Sequence, residues 1–338
     1  MRFINVDIKI LSLLVIIILS GCNLLNKRNK LHVFSKKVEG KRKYGYIDYE
    51  GNEVIEASYE RAFPFSEGIA RVVVGEKYGF IDLENKMIVV PKYDYAQDFS
   101  EGLALIEIDD KYGYINKKGQ IEIDVKFRNG KNFSEGLAAV RFGNKWGYIN
   151  REGKIQFEIP FSNAWSLKLG EFNHGYALVG NDSKFFFVKP NGKFTFNEKH
   201  DHFGPGSSGF SEGLAAVNID RNFGYINTEG KFVIRPQFNY ALPFSEGFAP
   251  VRVDNKWGYI NKEGKIAINP EFSSVGLFNN GLAYVSIGDK FGYIDKSGRV
   301  VINPVYDQAG DFFDGLAYVK KGKDYMFINY KNEIVWKN

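Results

Sequence analysis

The 338-residue chain has one cysteine, three methionines, four histidines and four tryptophans, and each shortage closes off a class of explanation. With Cys22 alone, a disulfide framework and a cysteine-ligated metal site are both excluded. There is no nucleophile elbow, phosphate loop or HExxH motif, so catalysis would have to be assembled from scattered residues, and no enzyme activity or cofactor is expected. Charge is balanced and dispersed. The formal net charge is +5, and setting aside Arg2, Lys9 and Asp7 leaves 43 basic against 39 acidic residues. That mild excess does not build the clustered basic face that a nucleic acid requires, so none is expected as a partner. Long apolar runs are also scarce. The run at residues 10–19 would rise only about 15 Å as a helix, roughly half the hydrocarbon core of a bilayer.

Residues 1–21 read as a secretion leader, with Arg2 and Lys9 preceding the apolar run and Leu19-Ser20-Gly21-Cys22 following it. These last four residues resemble the bacterial lipobox. The resemblance implies cleavage before Cys22 and a diacylglycerol on its thiol, with palmitate-type chains. It also implies a lipid-anchored protein of the bacterial cell envelope, facing outside the cytoplasm and held to the membrane through lipidated Cys22. An ordinary cleaved or membrane-anchored signal segment is the plainer reading of the same run. Residues 22–30 carry Lys27, Arg28 and Lys30 and form a basic tether, either simply solvated or drawn to anionic headgroups.

Glycine, with 36 residues, and the aromatics, with 30 phenylalanines and 20 tyrosines, are plentiful, and they recur in phase. The glycine of a Lys-aromatic-Gly-aromatic-Ile-[Asn/Asp] motif stands at Gly45, Gly79, Gly113, Gly147, Gly224, Gly258 and Gly292, while Phe186 and Met326 hold two degenerate copies. Most steps are 34 residues, and two consecutive ones, across residues 156–211, are 39 and 38. A Ser-Glu-Gly motif keeps the same rhythm. Residues 244–272, FSEGFAPVRVDNKWGYINKEGKIAINPEF, are the clearest copy of a unit repeated nine times over residues 31–338.

Each unit divides into three short strands with period-two alternation. Between the second and third strands an Asn or Asp stands three residues before a glycine (Asn261 and Gly264, for example), which fits a type I turn closing into a left-handed glycine bulge. Asn85 and Asn332 replace that glycine, and asparagine tolerates positive φ next best. An alanine after each Ser-Glu-Gly position, from Ala70 to Ala317, marks a crowded site. The motif glycine, flanked by rings on the opposite strand face, marks close approach by another backbone or ring. Pro91, Pro236, Pro270 and Pro304 mark the exit of the third strand or a sheet edge. The Ser-Glu-Gly set reads as a turn in which serine bonds a nearby backbone amide and glycine supplies the bend. A fixed phase argues against Glu67, Glu101, Glu135, Glu212 and Glu246 as catalytic carboxylates.

The predicted fold is therefore all-β: a tandem array of about nine 34-residue, three-stranded antiparallel meanders. A chain starting at a first strand and ending at a third favours an open twisted stack, with a closed propeller-like arrangement as the alternative. The units are similar to the WG repeat, named for the Trp-Gly pair of Lys-Trp-Gly-Tyr-Ile-Asn, although only Trp146 and Trp257 keep the literal tryptophan. That resemblance implies a scaffold and a binding role, with no catalytic residues to carry over.

The leading expectation for function is non-catalytic binding of a protein or glycan partner. An enzyme or metal-dependent site in the irregular 156–211 region, or a purely structural spacer, are the alternatives. The weak metal candidates are His200 and His202, with His174 able to join them; no metal site is expected. Trp146 and Trp257 are candidates for an exposed aromatic binding platform, against the plainer reading that the repeated rings make core.

Overall fold

A computed structural model describes residues 30–160, 168–180, 184–195, 203 and 206–338. The lipobox with Cys22, the tether up to residue 29 and the His200-Asp201-His202 segment lie outside the described residues. The chain forms two compact units, Met1–Pro91 and Lys92–Asn338. Described strands make nine separate antiparallel sheets, numbered here one to nine in chain order, with the first two built largely from the first unit and the other seven from the second. Every sheet is built from strands that are consecutive in sequence.

Sheet seven shows the pattern. Its first strand, Phe248–Val253, pairs with the second, Lys256–Asn261, and the second with the outer strand, Ile266–Phe272. The turn before the outer strand is the expected one: Gly264 N donates to Asn261 O (3.0 Å), Asn261 N donates to Lys265 O (3.0 Å), and Gly264 has φ +79°. Asn261 Oδ1 accepts from the amides of Glu263 and Lys265, which explains the side chain required at that position. Asn85 and Asn332 adopt φ of 63° and 64° in the equivalent place, as anticipated.

Six of the nine sheets carry a fourth strand that sequence reading did not find, a two-residue lead strand such as Tyr240–Ala241, paired with the first strand. The prolines, expected at the strand's exit or at an edge, lie inside the outer strands, which are sheet edges. There the ladder skips from Tyr259↔Ile268 to Trp257↔Phe272, a bulge that holds Pro270.

The core lies between sheets. In the first unit Leu31, Tyr46, Ile55, Tyr59, Ala70, Val72 and Ile81 fill one layer between its two sheets. In the second unit six such layers alternate with the sheets, for example Tyr225, Ile234, Phe238, Phe244, Ala249 and Ile260 between sheets six and seven. A 34-residue sheet cannot bury its apolar face alone, and each neighbour supplies the missing half. Small, discrete, face-packed sheets are the blades of β-propellers, so successive sheets within each unit pack as in the propeller-like arrangement named as the alternative. The repeated alanines are buried throughout, Ala70, Ala104, Ala215 and Ala249 at 0% exposure, as the crowding argument requires.

Candidate binding groove

The Ser-Glu-Gly tripeptide is where successive sheets are fastened. Glutamate and glycine both take left-handed backbone, φ 52° at Glu246 and 88° at Gly247, and close a two-residue turn between Ser245 and Phe248. The bend was expected; the partner of the serine was not. Ser245 Oγ donates to Phe278 O (2.6 Å), one repeat further on, and Ser100, Ser134 and Ser211 do the same to Phe133, Phe172 and Phe244. The glutamate also reaches the next repeat. Glu246 accepts from Asn280 N and Gly281 N and pairs with Lys296, while Glu212 accepts from Gly247 N and pairs with Lys262. Burial pushes both carboxyls up, but the lysine and backbone donors outweigh it, and the net effect holds both below the usual glutamate range.

A second fastening comes from the motif tyrosines. Tyr225, Tyr259 and Tyr293 donate their hydroxyls to the carbonyls of Leu242, Gly276 and Gly310, each at 2.8 Å and each in the following repeat. Burial raises all three well above the ordinary tyrosine range, so they remain neutral donors.

The irregular region departs from this pattern in side-chain bulk. Sheet six has no paired lead strand. Gly206-Ser207-Ser208-Gly209 stands where sheet seven has Tyr240-Ala241-Leu242-Pro243, and the two serine hydroxyls accept from Asn218 N and Ala216 N in place of a ladder. Where those side chains are lost, a groove of about 900 Å³ opens, within the range usual for ligand sites. Its lining includes Leu169, Phe172, Phe185 and Phe210 with Lys131, Lys168 and Glu171, and every contributing repeat belongs to the second unit.

The profile of the WG containing repeat matches residues 44–78, 78–112, 112–146, 146–185, 223–257, 257–291 and 291–324. The chain belongs to this family of repeats. The gap between the fourth and fifth matches falls where the WG repeats lose their regular spacing and where the groove opens. A comparison with curated proteins found no match. Among solved structures, a crystal structure of a eukaryotic initiation factor superposes with a TM-score of 0.61 at 10% identity, covering 91% of this chain and 96% of that one. AztD of Citrobacter koseri gives 0.46 at 13% identity, over 88% and 91% of the two chains. BamB of Moraxella catarrhalis gives 0.42 at 9% identity, over 77% and 90%. At these identities the initiation-factor likeness speaks to the fold alone.

The residues singled out from the sequence fall into three groups. Trp146 of the fourth WG repeat is 8% exposed and packs with Tyr148, Leu169 and Phe172, so its ring is core. Trp257 is half-buried, edge-on to Tyr240 (5.8 Å) with the Arg252 guanidinium 5.9 Å from its centroid. His174, an exposed residue, takes the position of the turn glutamate in Asn173-His174-Gly175, with φ 54°, and its Nδ1 lies 2.7 Å from Asn173 Oδ1. His200, His202 and Cys22 lie outside the described residues. Lys131, Lys168 and Glu171 were not anticipated. The readable signal was the run of small residues ending at Gly209, inside the irregular 156–211 region, but sequence could not place it beside Lys168.

Proposed function

We propose that the protein is a lipid-anchored bacterial envelope protein whose WG-repeat scaffold binds a protein or glycan partner without catalysing a reaction. The observation that carries this reading is a division of labour among side chains. The serine, glutamate, glycine and tyrosine shared between repeats are spent on fastening one sheet to the next and the shared asparagine on closing its own turn, whereas the charged residues of the groove do neither. Lys131, Lys168 and Glu171 differ from their counterparts in the other repeats and line an open cavity. Anchoring through Cys22 rests on the lipobox resemblance alone. Full-length protein expressed in a bacterium with labelled palmitate is expected to carry label that Cys22→Ser removes. The anchored protein is expected to capture a specific partner from cross-linked envelopes. A wild-type protein that takes up no label refutes the anchor, and one that captures nothing above background refutes the binding role.

A further inference from the structure

We infer that the groove receives an extended acidic segment of a partner protein; this rests on the binding reading above and narrows it. Charge comes first. Basic residues near the inter-repeat fastenings are elsewhere consumed: Arg151 pairs with Glu101, Lys262 with Glu212 and Lys296 with Glu246. In the groove, Lys131 and Lys168 have no carboxylate partner among the described residues, and Lys168 only approaches the Phe185 ring, 5.8 Å from its centroid. Against these two ammoniums stands one carboxylate, Glu171, so the groove is left positive.

The same lining disfavours a sugar. Sugar recognition needs open aromatic faces and free hydroxyl-reading groups. Phe172, Phe185 and Phe210 are 1%, 5% and 2% exposed, with their faces turned into the core. The polar side chains are already committed, Ser134, Asn173 and Ser211 to the carbonyls of Phe172, Phe210 and Phe244. What remains is two ammoniums, aliphatic surface and the bare backbone at Gly209, where nothing stands within 4 Å of a would-be Cβ, which lets a main chain approach closely. An extended peptide with carboxylates alternating with aliphatic side chains matches all three.

The test uses the full-length protein and three fluorescein-labelled decapeptides, alternating valine with glutamate, glutamine or lysine. The glutamate peptide is expected to bind at least about tenfold more tightly than the glutamine one, and the lysine peptide weakest of all. Lys131→Gln and Lys168→Gln should each weaken the glutamate peptide about five- to tenfold, and added salt should do likewise. Glu171→Gln should tighten it about two- to threefold, a gain that misfolding cannot imitate. No binding of the glutamate peptide, equal binding of the lysine peptide, or a double lysine variant with wild-type affinity overturns the inference. Envelope capture run in parallel separates the two readings. Capture retained by the double lysine variant overturns this inference and leaves the binding role standing, whereas no capture by the wild type overturns the binding role itself.

Discussion

Gly258→Ala and Gly247→Ala place one methyl group in two opposite settings, and the contrast tests why the repeat glycines are there. At Gly258 the backbone is ordinary strand, but a Cβ would stand 2.5 Å from Ile268 O and 2.7 Å from Pro270 N in the outer strand. Backbone cannot swing aside as a side chain can. To restore an ordinary contact the outer strand must retreat by about 0.9 Å, which stretches a ladder bond of about 2.9 Å beyond hydrogen-bonding range. Losing two or three such bonds, at roughly 1 kcal/mol each, and loosening Phe272 in the layer it shares with sheet eight gives a cost of about 3–5 kcal/mol. At Gly247 nothing lies within 4 Å of the new methyl, but φ is +88°, so the cost is conformational alone, about 1–2 kcal/mol. Urea unfolding followed by tryptophan fluorescence, to which Trp257 beside the substitution contributes, reads the loss of stability in both variants. Hydrogen exchange across Lys256–Asn261 and Ile266–Phe272 shows whether the loss is local, as repeat proteins allow. If Gly258→Ala costs no more than Gly247→Ala, close approach of the outer strand is not what fixes the motif glycine.

Two further outcomes follow from the fastenings between sheets. Tyr59 donates to Asn85 Oδ1 at 2.5 Å, whereas the corresponding pair between sheets six and seven is Phe238 and Gly264, so Tyr59→Phe and Asn85→Gly should each cost about 1 kcal/mol while the double variant comes close to wild type. Unfolding measurements in which the two losses simply add would deny the coupling. Glu246→Gln should lower stability at neutral pH by about 1 kcal/mol, discounted for the partial exposure of the Glu246–Lys296 pair. Glu246 is held below the usual range, so its contribution is complete above the unfolded value, about pH 4.3, and disappears as pH falls through the lower folded value. Melting temperatures of wild type and variant should therefore converge in acid, and a gap that widens there contradicts the assignment.

Local chemistry was legible in the sequence and remote chemistry was not. The turn at Asn261 and Gly264 involves bonds spanning no more than four residues, so the identities of two side chains sufficed to read it. Ser245 had equally clear letters, but its acceptor is 33 residues away and becomes a neighbour only once repeats are stacked; a local amide was the only partner the sequence could offer. The two-residue lead strands are too short to show a period. Trp146 and Trp257 invited a platform reading because ring identity is visible in sequence and burial is not. The groove has the same origin. Small residues at 206–209 announce missing bulk, but only the fold shows that Lys131 and Lys168 flank the space they leave.

The two degenerate motif copies, Phe186 and Met326, connect these observations. The motif glycine answers to close approach of the outer strand, whether or not a bulge stands opposite it. In sheet five the described outer strand, Phe194–Thr195, pairs with Val188 and Phe187, and Phe186 packs edge-on against Phe194 (6.0 Å). In sheet nine the outer strand, Ile334–Lys337, places Lys337 directly opposite Met326, which is buried at 4% exposure. Sheets one, three, six, seven and eight skip residues opposite the motif, and each keeps its glycine there. Sheet four pairs Gly147 directly with Glu158, the register that sheet nine has at Met326, and also keeps its glycine, because a Cβ there would stand 2.5 Å from Phe157 O. Absence of the bulge does not by itself admit a side chain. The tryptophan beside the motif glycine, replaced by tyrosine or phenylalanine in most units, answers only to a need for a large ring in the layer between sheets. Where the motif decays, at residues 186 and 326, the layers on both sides of sheet five and the layer between sheets eight and nine remain filled.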